Sequence, residues 1–238
     1  MTVIHANNSV GSSLGSSSDE HANSAHVFMG GTFDPIHFGH LRTALEIQQW
    51  LSVGHVYLMP ANVPVHRETP GSTAKARLAM VEQAIDGESA LRCDPREIMS
   101  DRPSFTIYTL EMLRKELGLA KPVCMVVGMD SFLSFDQWFR FDEYLEYCHI
   151  IVVARPGYHF KPNQVLKQLL AKHQVERKSD ILTQSAGSIL VHELTPLSIS
   201  ATYIRELIAN GQSPRYLLPD GVWNFIQEHK LYFSKKDS

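Results

Sequence analysis

From residue 25 onward, strand-length apolar runs alternate with segments whose apolar residues recur every three or four positions. That alternation decides the fold class, because parallel strands can be joined only by crossovers long enough to hold a helix. Strands are expected at 25–30, 55–60, 122–130, 149–157 and 188–194, with a weak, broken one at 91–98. The run "PVCMVVGMD" (122–130) is apolar almost throughout, as a central parallel strand buried on both faces must be. Helices are expected at 39–51, 73–85, 104–117, 163–173, 200–210 and 219–232, and short helical turns at 134–147. Thr73 and Ser200 stand where N-caps belong, Ser104 lies near a helix start, and Gly118 and Gly211 follow helix ends. The expectation is an α/β chain: a doubly wound, Rossmann-like parallel sheet with helices on both faces, in a single domain over 25–233.

Composition narrows the partners. The 238 residues carry a formal charge of −3, so no bulk positive field draws the chain to nucleic acid or anionic lipid. Any phosphate contact must then be local. No apolar run is long enough to span a membrane. Cys93, Cys124 and Cys148 have no metal-ligand spacing and read as buried thiols of a cytoplasmic protein. Residues 1–24 have neither a basic nor an apolar stretch, which predicts a disordered tail and no secretory signal. Residues 234–238 are read as a short C-terminal tail.

In such folds ligands gather at the carboxyl ends of the strands. The segments found there are "GGTFDPIHFGH", "PANVPVHR", "GMDSF", "ARPGY" and "TPLSISATYIR". Gly30 and Gly31 let backbone approach a bulky anion, and the helix start that follows attracts negative charge. Neither the dinucleotide nor the P-loop fingerprint is present. His37 and His40, three apart on an opening helical turn, can face the same side. A metal would need a third ligand, and none has suitable spacing. Donation to phosphate oxygens is the favoured reading, strengthened once a phosphate protonates the rings. Ser200, Thr202 and Arg205 form a second helix start suited to phosphate, although, viewed alone, a capped surface helix with Arg205 in solvent is the commoner explanation. Asp34 could orient a neighbour or cap a turn. Asp130 could accept ribose hydroxyls, Trp138 could stack on a flat ring, and Arg155 could meet a phosphate.

These segments together carry a family resemblance. "GGTFDPIHFGHL" resembles the N-terminal signature of nucleotidylyltransferases with the (H/T)xGH motif, and "SISATYIREL" resembles their C-terminal motif. "PANVPVHR", "DRPSFTIYTL", "VGMDSF", "FDQWF" and "VVARPGY" resemble bacterial nicotinate-nucleotide adenylyltransferases in order and spacing, over residues 26–233. The resemblance implies transfer of the adenylyl group of ATP to nicotinate mononucleotide, giving deamido-NAD and pyrophosphate by direct attack with no covalent enzyme intermediate. It implies Mg2+ bound through the ATP phosphates, with no protein metal site. For ATP it implies Gly30, Gly31, Thr32, Phe33, His37, His40, Asp130, Ser200, Thr202, Ile204 and Arg205, with His37, His40 and Arg205 catalytic. For the mononucleotide it implies Asn62, His66, Arg67, Ser104, Phe105, Thr106, Trp138 and Arg155. Preference for nicotinate is expected to come from N–H groups at 104–106 and near Trp138, which would bind the carboxylate. Nicotinamide mononucleotide or phosphopantetheine as acceptor, and a non-catalytic nucleotide-binding protein, are the other readings.

Overall fold

The computed structural model describes residues 25–62, 71–154, 161–195 and 197–234. The N-terminal tail expected at 1–24 lies outside these residues. Seven parallel strands form one sheet: β1 (His26–Gly31), β2 (Val56–Pro60), β3 (Leu91–Cys93), β4 (Val123–Gly128), β5 (His149–Ala154), β6 (Gln174–Val175) and β7 (Ile189–Glu193). Their spatial order is β3-β2-β1-β4-β5-β7-β6. The helices are α1 (Phe38–Leu51), α2 (Ala74–Ala84), α3 (Thr106–Leu117), α4 (Met129–Phe132), α5 (Tyr144–Tyr147), α6 (Gln164–His173), α7 (Lys178–Leu182), α8 (Ala201–Ala209) and α9 (Asp220–Glu228).

Strand alternation sorts the core into two layers. Val27 and Met29 of β1 point to one face, where α1, α2, α8 and α9 supply Ile47, Met80, Ile204 and Trp223. Phe28 points to the other, where α3 and α6 supply Leu110 and Leu166 and the aromatic cluster supplies Phe132, Phe135 and Tyr144. Both faces of β1, β4 and β5 are therefore dry, and their near-continuous apolar runs follow from that. Successive strands run outward from β1 to β3, then the chain crosses back to β4 on the other side of β1. The crevice between the carboxyl ends of β1 and β4 is thus the reversal point at which doubly wound sheets bind ligands.

Element bounds differ from expectation for local reasons. The strand expected at 91–98 stops at Cys93, because Asp94 turns its carboxylate onto the backbone N–H (3.0 Å) and Nε (2.7 Å) of Arg96. The helix expected from 104 begins at Thr106, and Ser104 instead accepts a hydrogen bond from the Asn62 N–H at 2.8 Å. The strand expected to 130 gives way after Gly128 to α4. The last helix ends at Glu228, four residues early, and Lys230 and Tyr232 then take positive φ values of 49° and 67°. The short β6 and α7 carry too few residues for a periodic signal and were not expected. Thr73 and Ser200 do cap their helices, accepting from the N–H groups of Ala76 and Tyr203.

Candidate active site

A cavity of about 640 Å3 opens at the carboxyl ends of β1, β4, β5 and β7. Its floor is the turn after β1. Phe33 sits there at φ 50° with its ring buried, and a Cβ at Gly31 would stand 2.9 Å from that ring. Gly31 is thus required by its own neighbour's side chain. At Gly30 a Cβ would meet nothing within 4 Å, so this glycine is the one that faces open space.

His37 and His40 line one wall and stack on each other, with ring centroids 3.7 Å apart and planes 23° off parallel. Phe33 meets the His40 ring edge-on at 5.0 Å. The residue between them that permits this is Gly39, where a Cβ would lie 3.0 Å from the His37 ring and 3.5 Å from the Ile199 carbonyl. His37 is 5 % exposed, and burial pushes its pKa down to about 4. Without a ligand the ring is neutral, so the protonated donor expected from the sequence requires an anion beside it. Its Nδ1 is buried with no hydrogen-bond partner among the described residues. Such an orphan costs about 1–3 kcal/mol.

The start of α8 adjoins this wall, with the Ile199 carbonyl 3.5 Å from where a Cβ at Gly39 would stand. Ser200, Thr202 and Arg205 all line the cavity, beside helix N–H groups that have no intrahelical acceptor. Arg205 is held in place: its Nη1 donates to the Asp34 carbonyl at 2.7 Å and its Nη2 approaches the Thr202 hydroxyl at 3.4 Å. Arg205 is thus tied to the β1 turn and not simply solvated. Ile204 is a correction of another kind. Its side chain is fully buried in the core and its N–H donates to the Ser200 carbonyl at 3.1 Å, so it offers the cavity nothing.

Asp34 lines the cavity and orients its neighbours, one of the two roles its sequence position left open. It is buried, and its carboxylate accepts from Gly71 N–H (2.7 Å), Ser72 hydroxyl (2.5 Å) and Tyr232 hydroxyl (2.6 Å). Burial, with the Asp34 charge adding to it, pushes the Tyr232 phenol up. Asp34 thus ties the β1 turn to the segment before α2 and to the chain beyond α9, while its carbonyl holds Arg205.

Asp130 and Trp138 complete the lining on the β4 side. Trp138 is half-buried and meets Phe135 and Tyr144 edge-on. Asn62, Ser104, Phe105 and Thr106 do not line this cavity. Ser104 and Phe105 border a small cleft beside it, next to Arg96 and Tyr108. Two backbone donors considered for a carboxylate are already used: Phe105 N–H donates to the Pro103 carbonyl and Trp138 N–H to the Phe135 carbonyl. His66, Arg67 and Arg155 lie outside the described residues. Among the described residues, no three His, Cys, Asp or Glu side chains converge as metal ligands.

Sequence reasoning missed Arg77, Ser72 and Tyr232. None sits in a motif, and only the fold brings them to the β1 turn.

Comparison with known proteins agrees with this architecture. Residues 28–207 match the family described as cytidylyltransferase-like. A Hahella chejuensis protein described as a "probable nicotinate-nucleotide adenylyltransferase" is 44% identical over 207 residues, covering 87% of this chain and 94% of that protein. One from Pseudomonas putida with the same description is 44% identical over 204 residues, covering 86% and 93%. The solved structure of Plasmodium falciparum nicotinic acid mononucleotide adenylyltransferase complexed with NaAD superposes with a TM-score of 0.65 at 16% identity, over 88% of this chain and 97% of that one, which is a likeness of fold. With the stacked histidines, the α8 cradle and the reversal-point cavity in one place, this chain belongs to the cytidylyltransferase-like family and, within it, to the nicotinate-nucleotide adenylyltransferases.

Proposed function

We propose that this protein transfers the adenylyl group of ATP to nicotinate mononucleotide, releasing pyrophosphate and forming nicotinate adenine dinucleotide for NAD biosynthesis. The observation that carries the reading is the pair of adjoining groups that line one cavity: stacked His37 and His40, and beside them Ser200, Thr202 and anchored Arg205. Two such groups side by side on one cavity suit a polyphosphate that extends along both.

A phosphate oxygen of the mononucleotide attacks the α-phosphorus in line. The new P–O bond forms as the bond to the β-phosphate oxygen breaks, and the electron pair leaves with pyrophosphate. No protein nucleophile is needed. Cys124 and Cys148 are fully buried, and burial raises their thiol pKa values, that of Cys124 to about 12. Catalysis is then a matter of placement and charge. His37 and His40 donate to the reacting phosphate, and the α8 start with Arg205 holds the outer phosphates. Asp130 meets the nucleotide ribose, and Trp138 stacks on the pyridine of the mononucleotide. Asn62, Ser104 and Thr106 act from the edge of that subsite. Mg2+, bound through the ATP phosphates and water, would supply further charge neutralisation.

Among the described residues no helix is long and apolar enough to cross a membrane. The three free thiols support assignment to the reducing cytoplasm. The test is pyrophosphate release from ATP with nicotinate mononucleotide, nicotinamide mononucleotide or phosphopantetheine as acceptor. The expected result is turnover with highest kcat/KM for nicotinate mononucleotide. Equal values for the two pyridines would remove the nicotinate assignment, and no turnover with any acceptor would leave a nucleotide-binding protein.

A further inference from the structure

Arg77 of α2 is fully buried, with 0 % exposure, and makes no ion-pair contact among the described residues. A core-facing helix position ordinarily holds an aliphatic residue, because a buried charge is costly unless its donors are met. Here Nη1 and Nη2 meet main chain, while Nε has no hydrogen-bond partner among the described residues. Nη1 donates to the carbonyls of Thr32 (2.8 Å) and Ala61 (2.6 Å), and Nη2 donates to that of Asn62 (2.6 Å). Thr32 lines the cavity in the turn after β1. Ala61 and Asn62 follow β2. Asn62 is in turn bonded forward: its N–H donates to Ser104 Oγ at 2.8 Å and its side-chain amide to the Ser100 carbonyl at 3.2 Å. One guanidinium therefore sits between the turn under ATP and the segment that leads to the start of α3.

We infer that Arg77 is a positioning residue that fixes the distance between the ATP subsite and the mononucleotide subsite. This rests on the reaction proposed above. A guanidinium is always charged, and its rigid planar fork spans acceptors on two loops at once, which the single ammonium of lysine does not reproduce. Arg77 is buried outside the cavity lining, so each substrate should still bind by itself. What suffers is their relative placement, and in-line attack is sensitive to errors of about 1 Å, which can cost about 10²-fold in rate.

The experiment compares wild type, Arg77→Met and Arg77→Lys. Thermal unfolding reports the fold, calorimetry reports the Kd of ATP and of nicotinate mononucleotide separately, and pyrophosphate release reports kcat. The expected result for Arg77→Met is a kcat about 10²-fold lower, with each separate Kd within about 5-fold of wild type; Arg77→Lys should stay at least about 10-fold below wild type in kcat. A folded Arg77→Met chain with kcat within about 3-fold of wild type overturns the inference. So does a variant whose two Kd values worsen in parallel with kcat, which is the signature of general loosening. If Arg77→Met does not fold, Arg77→Lys is judged by the same readouts; if neither folds even in the cold, Arg77 is structural and the inference fails. Wild type that does not transfer adenylate to nicotinate mononucleotide overturns the reaction instead, a result separate from any difference among the variants.

Discussion

At the scale of single residues, His37 shows how one side chain is made both expensive and useful. Burial holds its pKa near 4, about 2.5 below an ordinary imidazole, so at neutral pH the empty site keeps it uncharged. An anionic polyphosphate beside it favours the charged form and raises that pKa. The sign follows: the complex binds more protons than the free protein, so ATP binding takes up protons and tightens as pH falls from 7.5 toward 6.5. Calorimetry in two buffers of different ionisation enthalpy at pH 7 should find net proton uptake in the wild type and a smaller value in His37→Asn. The same substitution should lower kcat by about 10²–10³, the usual loss for a donor to developing charge. Zero uptake by the wild type would mean that His37 stays neutral and acts as a packing partner for His40. Gly39 belongs at this scale as well. The histidine pair is legible in the sequence, but the need for glycine between them is not, because it arises from a ring and from the Ile199 carbonyl, which lies far along the chain.

At the scale of elements, the alternation of strands and helices was readable because each long element carries its own period. Val27 and Phe28 part to opposite faces of β1, and Ile204 and Ile208 form the buried stripe of α8. What escaped were places where a side chain competes with the regular pattern. Asp94 bends the chain out of β3, Ser104 leaves the α3 cap position to hold Asn62, and β6 is two residues long. The function of α8 was also hidden at this level. Its sequence fits a solvated, capped helix, and only the reach of Arg205 to the Asp34 carbonyl sets its N-terminus against the β1 turn. Arg205→Lys keeps the charge and loses the fork. Initial-rate kinetics should then show KM for ATP raised by about 10-fold, one hydrogen bond to a charged group being worth about 1.5–3 kcal/mol. KM for the mononucleotide should remain near wild type. Equal rises in both would place Arg205 between the substrates, not at the outer phosphates.

At the scale of the whole molecule, the site is closed by contacts that no local pattern announces. Tyr232 follows the last helix, yet its hydroxyl donates to Asp34 at 2.6 Å and lies 3.1 Å from the Ser72 hydroxyl. Buried Asp34 needs these donors, since a carboxylate taken out of water is tolerated only when its oxygens are satisfied. Gly71 lies close under the same ring, where a Cβ would come within 3.1 Å of it. The chain end, the β1 turn and the approach to α2 are thus one assembly, and its stability is shared. Tyr232→Phe removes one donor to a buried carboxylate at little change in volume. A loss of about 1.5–3 kcal/mol corresponds, for a domain of this size, to a Tm lower by roughly 3–10 °C. Nucleotide binding should respond differently. The carboxylate of Asp34 holds the chain end, while its carbonyl holds Arg205. Because Tyr232 bonds to Oδ1, while Arg205 is held by the carbonyl and faces Oδ2 at 4.0 Å, the rise in Tm produced by saturating ATP should keep its wild-type size in Tyr232→Phe even as the baseline drops. Differential scanning calorimetry with and without ATP separates the two quantities. A variant that loses the ATP-induced rise along with its baseline would show that the chain end sets the position of Arg205 through Asp34, and that stability and nucleotide grip are one property of this fold.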